Sequence, residues 1–129
     1  MIPMPISEIA DRYSICVLKR ERTGADMLKE IQMYIDEITE FWKTRDNGKE
    51  VNDIFSYAER LYNINAEIWD LESDIRKGRE GELGLEEVGR RAIKIRDLNK
   101  KRVAIKNEIV EEYGEGFKDI KINHASDGE

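Results

Sequence analysis

One histidine, one cysteine and two prolines are all that this chain of 129 residues holds of each. Each scarcity excludes something. His124 sits in a C-terminal stretch expected to fray, so a Ser-His or Cys-His nucleophile has no candidate base. Cys16 alone allows neither an internal disulfide nor a cysteine metal cluster, and reads as a small buried apolar side chain. Pro3 and Pro5 stand at the very start, so no proline ring interrupts a helix after them. No apolar run approaches the roughly 20 residues of a membrane span. The opening "MIPMPISEIADR" lacks the basic region and apolar core of a signal peptide, so a cytoplasmic location is expected, with no membrane partner. No Gly-rich phosphate-binding loop appears, since "KGREGELG" follows a helical pattern rather than a strand. The net charge of −6 speaks against a nucleic-acid partner.

What the chain does have is charge and helical periodicity. Charged residues make up 39% and apolar ones 40%, a balance that suits long helices with one buried stripe each. Ser7 is a candidate N-cap for a first helix with Ile9, Tyr13 and Cys16 inward. Thr23, with Asp26 three residues on, resembles a capping box opening a second helix. There Leu28, Ile31, Ile35, Ile38 and Trp42 mark one stripe, and Asn47-Gly48 a turn. In the third helix Tyr57, Leu61, Ile64, Ile68, Leu71 and Ile75 form a heptad seam. The fourth runs from about Leu85 to Tyr113 on Val88, Ala92, Ile95, Leu98, Ile109 and Tyr113, with Gly114 as its stop. "EGFKDIKIN" reads as extended. The expected fold is an all-α, four-helix bundle-like single domain over 1–129, ordered over about 5–123 with 124–129 as a tail. Its third and fourth helices should form a long antiparallel hairpin.

At about 100° per residue, polar groups sort by arc. Asn63, Glu67, Asp70 and Asp74 share an arc that reads as solvated. Tyr62 and Trp69 widen the buried face. Asn65, Glu72 and Arg76 fall between that aromatic pair and the seam, and Arg91, Asn99, Arg102 and Lys106 intrude on the apolar arc of the fourth helix. A hairpin centred near Gly81 sets Glu72 level with Arg91, and Asn65 level with the turn carrying Asn99. Buried charge demands partners, so these seven are expected either to pair between helices and set register, or to line a polar pocket. In the second case Arg102 and Lys106 would receive a small anionic ligand.

Two local spacings resemble enzyme signatures. Glu37-x-x-Glu40 and Glu67-x-x-Asp70 look like the metal motif of all-α nucleotide pyrophosphohydrolases; the resemblance implies Mg²⁺ held by those four carboxylates. Helical phase, however, turns Glu37 and Glu40 away from the stripe of the second helix. "LNKKRVAIKNEI" (98–109) resembles a segment of helical chorismate mutases, which implies a dicarboxylate held by Arg and Lys.

A wider resemblance covers about Pro5 to Asn123. "EIADRYSICVLKRER" (8–22), "LYNINAEIWDLESDIR" (61–76) and "IRDLNKKRVAIKNEI" (95–109) are similar to blocks of an uncharacterised family of small all-helical proteins, a domain of unknown function. Those blocks are ExxDRxTILxIKxER, LxxxNxxxWDxExxIR and NDxRxxxKxEI. Two departures stand out: the entry before Glu8 is two residues short, and Lys100 replaces the acid after the asparagine. The resemblance implies a helical domain without agreed activity, sometimes associated with proteins of surface-sugar assembly. It marks Asn65, Trp69, Asp70, Glu72, Arg76, Asn99, Arg102 and Lys106 as family-typical positions. The expected function is that of a helical interaction or accessory domain without catalytic activity or cofactor. A homodimer is expected from the apolar surface that Trp42, Trp69 and the seam leave to be covered, and a protein partner is possible.

Overall fold

The structure, a computed structural model, describes residues 4–44, 51–76 and 83–114. Four helices fill them: α1 (Ile6–Thr23), α2 (Leu28–Lys43), α3 (Val51–Asp74) and α4 (Leu85–Tyr113). The described residues contain no strand. The all-α expectation is met, and α3 and α4 pack together as the hairpin required. The Asn47-Gly48 turn, most of "KGREGELG", the "EGFKDIKIN" segment, His124 and the 124–129 tail lie outside the described residues.

Helix ends follow local chemistry, with two corrections. Ser7 does not cap α1. The helix begins one residue earlier, at Ile6 behind Pro5, and Ser7 is buried inside its first turn. Proline's fixed φ and the buried Ile6 place the start there. Thr23 does not open α2 either. Its Oγ1 donates to the Lys19 carbonyl at 2.7 Å and so closes α1. Gly24, at φ 72°, then turns the chain in a left-handed conformation that a side chain would strain. It is Asp26 that faces the start of α2, accepting from the Leu28 N–H at 3.4 Å.

The core is one apolar cluster: Ile6, Ile9 and Ala10 of α1, Ile38 of α2, Ile54, Ala58 and Leu61 of α3, and Ile105, Ile109 and Tyr113 of α4. Tyr13, Tyr34, Phe41, Trp42, Phe55, Tyr57 and Ile64 pack around it. Tyr13 meets Phe55 edge-on at 5.7 Å, and Phe41 meets Tyr113 at 5.8 Å.

The buried arc of α3 differs from the expected seam. Ile54, Ala58, Leu61, Asn65 and Ile68 are buried, while Tyr57 and Ile64 stand at the edge. The reason is tertiary: α3 packs against α1 as well as α4, so the inward arc swings toward α1. On α2, Leu28 is exposed and Tyr34 and Phe41 turn to the core instead. Cys16 is half-buried rather than buried, and desolvation raises its thiol pKa.

Helix directions can be read from side-chain pairs. Tyr57 donates to Glu112 at 2.6 Å, Arg60 pairs with Glu108 at 3.0 Å and Arg91 with Asp74 at 2.8 Å. Partner numbers fall along α4 as they rise along α3, so the hairpin is antiparallel. Glu8–Lys106 and Asp11–Arg102 show the same opposition for α1 and α4.

Candidate functional site

Three buried polar residues interrupt the apolar stripes of α1 and α3 where those helices meet α4. Ser7, Asp11, Ser14 and Leu18 step by four, three and four along α1, which places them on one face. Asp11 and Ser14 are each 1% exposed and Asn65 is 8% exposed, so their polar atoms must find partners inside the protein.

They find them in one another and in Arg102. Ser14 Oγ donates to the Asp11 carbonyl at 2.6 Å and accepts from Asn65 Nδ2 at 3.1 Å. The same Nδ2 donates to Asp11 Oδ1, also at 3.1 Å. Arg102 reaches in from α4 and grips Asp11 with two donors, Nε to Oδ1 at 3.1 Å and Nη2 to Oδ2. The fork satisfies the carboxylate and fixes its orientation. One turn on, Lys106 Nζ meets Glu8 Oε2 at 2.6 Å. This polar centre therefore joins three helices.

Beside it opens a cleft of about 220 Å³ lined by Ile15, Leu18, Asn65, Ile68, Trp69, Glu72, Asn99 and Arg102. Of the seven residues expected inward, Asn65, Glu72, Asn99 and Arg102 come together here. Lys106 lies one turn further along α4 and is buried, on Glu8. Arg91 lies toward the opposite end of that helix, holding Asp74 and Glu87 at 2.8 and 3.1 Å. Arg76 is exposed, beyond the end of α3. One expected pairing is corrected. Asp74, not Glu72, is the partner of Arg91, so α3 and α4 meet two residues off the expected register. Asn65 shares the cleft with Asn99, while its hydrogen bonds go to α1, because α3 turns that face toward α1.

Asp11, Ser14 and Glu8 were missed as partners by the reading of helical phase. One signal was available: a charged residue between two serines on a step of four and three is out of place on an apolar stripe.

The arrangement binds cations of the chain to carboxylates of the chain. Arg102 holds Asp11, Lys106 holds Glu8, Arg91 holds Asp74 and Glu87, Arg22 holds Asp70 through two bonds at 3.1 and 3.3 Å, and Arg60 holds Glu108. Arg90 and Arg91 lower the Glu87 pKa by donating to its carboxylate. An anion arriving at Arg102 or Lys106 would compete with a carboxylate already in place. Of the four carboxylates with pyrophosphohydrolase-like spacing, Glu37, Glu40 and Glu67 are exposed and Asp70 is taken by Arg22. Among the described residues no three Asp, Glu, His or Cys side chains gather as a metal site would require. Among them, too, no helix is long and apolar enough to cross a membrane.

The chain matches no known family model, no curated protein and no solved structure.

Proposed function

We propose that the chain is a cytoplasmic interaction or accessory domain without catalytic activity, and that it pairs with a second copy of itself through the outer end of the α3–α4 hairpin. The observation that carries this reading is the uncovered apolar surface on the first half of α4. Leu85 is 86% exposed and Ile93 is 52% exposed, and no residue of α4 before Leu98 is buried. A shallow cleft of about 650 Å³ lies along the same stretch, with Leu71, Ile93 and Leu98 between charged residues. Apolar surface rimmed by charge is the usual make-up of a protein contact.

Charge favours a second copy as the occupant. The outer part of α3 carries Glu67 and Glu72, beside Asp70 and Asp74, which Arg22 and Arg91 hold. The facing part of α4 carries Lys94, Lys100 and Lys101, beside the pairs that Arg90, Arg91 and Arg96 make with Glu87 and Asp97. A two-fold pair can lay the basic helix of one copy on the acidic helix of the other, twice over. The resemblance to a helical family without agreed activity, itself a proposal, suits the same reading.

Sedimentation equilibrium tests it. The wild-type chain should sediment at twice its 15.1 kDa mass, and Ile93→Lys at the single-chain mass with its helical content intact. A wild-type chain that stays single at about 100 μM, a weak-dimer concentration, overturns the pairing.

A further inference from the structure

On another face of α1 and α3, a second groove differs in kind from the polar centre. Tyr13, Ser14, Val17 and Glu21 of α1 face Phe55, Ala58, Glu59 and Tyr62 of α3 across about 350 Å³. That volume lies at the small end of the roughly 300–1,000 Å³ typical of small-molecule sites.

Its lining has one sign of charge. Glu21 and Glu59 are its only ionisable acids or bases apart from the two phenols, and no Lys, Arg or His lines it. Of the neighbouring cations, Arg60 is held on Glu108 and over the Tyr57 ring. Arg22, paired with Asp70, also lies beside the Tyr62 hydroxyl and Glu21 at one end of the groove, so Glu59 is the carboxylate that has no cation of the chain beside it among the described residues. Glu59 makes no hydrogen bond or ion pair among the described residues. The Tyr62 hydroxyl donates to Glu21 Oε1, which ties one ring to one carboxylate. Tyr13 and Phe55 stand nearly perpendicular, with 74° between their planes. Three aromatic rings, two carboxylates and the small apolar walls of Val17 and Ala58 therefore share one groove.

Ring faces carry negative quadrupole potential and carboxylates carry full charge, so both attract a cation. The apolar walls disfavour a strongly hydrated ion and suit one covered in methyl or methylene groups. We propose that this groove binds a small organic cation, an alkylammonium or trimethylammonium group, between Tyr13, Phe55 and Tyr62, with Glu21 and Glu59 supplying the counter-charge.

The test uses the full chain, tetramethylammonium and choline as probes, and 3,3-dimethylbutan-1-ol as the uncharged counterpart of choline. Amide shifts are followed by NMR at constant ionic strength. The expected result is saturable shifts confined to residues around Tyr13, Val17, Phe55, Glu59 and Tyr62, with the alcohol at least about tenfold weaker. Glu59→Gln, an exposed change that leaves the packing alone, should weaken choline several-fold, and Phe55→Leu more. Phosphatidylcholine vesicles in a sedimentation arm separate the two sources of the group: co-sedimentation assigns a lipid headgroup, its absence a free solute. No saturation by about 50 mM probe, a range far beyond ordinary millimolar affinity, overturns the proposal. Equal binding of the alcohol, or unchanged binding by Glu59→Gln, does the same.

Discussion

Arg102 on the last helix donates its Nε to Asp11 on the first at 3.1 Å, a contact between positions 91 apart in the chain. The pair sits among apolar side chains, with the Asp11 side chain 1% and the Arg102 side chain 29% exposed. An ion pair in such surroundings adds little net stability compared with apolar packing, but breaking it leaves a stranded charge. It also fixes how α1 lies along α4, since sliding either helix by one turn removes the partner.

Arg102→Met, which strands the buried Asp11 carboxylate, should therefore cost about 3 kcal/mol of unfolding free energy, read from urea titrations. Asp11→Leu combined with Arg102→Met should recover most of that loss, because both charges leave together. A double variant no more stable than Arg102→Met would show that the carboxylate does more than balance the guanidinium.

Asn65 donates from its amide NH2 to two acceptors, Asp11 and Ser14. Asn65→Ala removes that bridge and should cost roughly 1–3 kcal/mol. Ser14→Ala removes one end of the same bridge, so the two changes should not add. A double-mutant cycle checks this; a coupling within about 0.3 kcal/mol of zero would mean the bridge carries no energy.

Lys106 and Glu8 meet at 2.6 Å, but the Glu8 side chain is 32% exposed and can turn to water. Lys106→Met should then cost only about 1 kcal/mol, less than Arg102→Met, since the carboxylate left behind is not trapped. The ordering of the two variants in chemical denaturation is the measurement.

The Tyr113 hydroxyl is buried without a hydrogen-bond partner among the described residues, and burial, followed by Glu112 and Asp53, pushes its pKa up to about 12. A free tyrosine titrates near 10, so the unfolded chain loses this proton first. The stability linked to Tyr113 is complete below about pH 10 and is lost as pH rises through about 12. Burial and the Glu112 acceptor raise the Tyr57 pKa as well, adding to the alkaline loss. Tyr113→Phe should be more stable than wild type by about 1 kcal/mol at neutral pH, having no stranded hydroxyl. It should also lose less stability between pH 10 and 12. Denaturation curves at pH 7 and 11 decide both points, and a less stable Tyr113→Phe would mean the hydroxyl has a bound partner.

Much of the architecture was legible as periodicity. Ile38, Leu61, Ile68, Leu98, Ile109 and Tyr113, all expected inward, are buried or nearly so. The inward lean of Asn65, Arg102 and Lys106 was legible for the same reason: a polar residue in an apolar arc of a helix has nowhere else to point. Their partners were not. A stripe shows that a side chain enters the interior but not which helix it meets there, and Asp11 comes from the element furthest from Arg102 in the chain.

The sequence by itself determined the helices and their inward polar residues, because period and phase are local properties of each segment. Tertiary structure decided the rest, since it depends on where three separate helices come side by side. It turned α3 toward α1, moved the partner of Arg91 from Glu72 to Asp74, and closed Asp11, Ser14, Asn65 and Arg102 into one centre. It also brought Tyr13, Phe55 and Tyr62, from two helices and both sides of a long interval, around a single acidic groove.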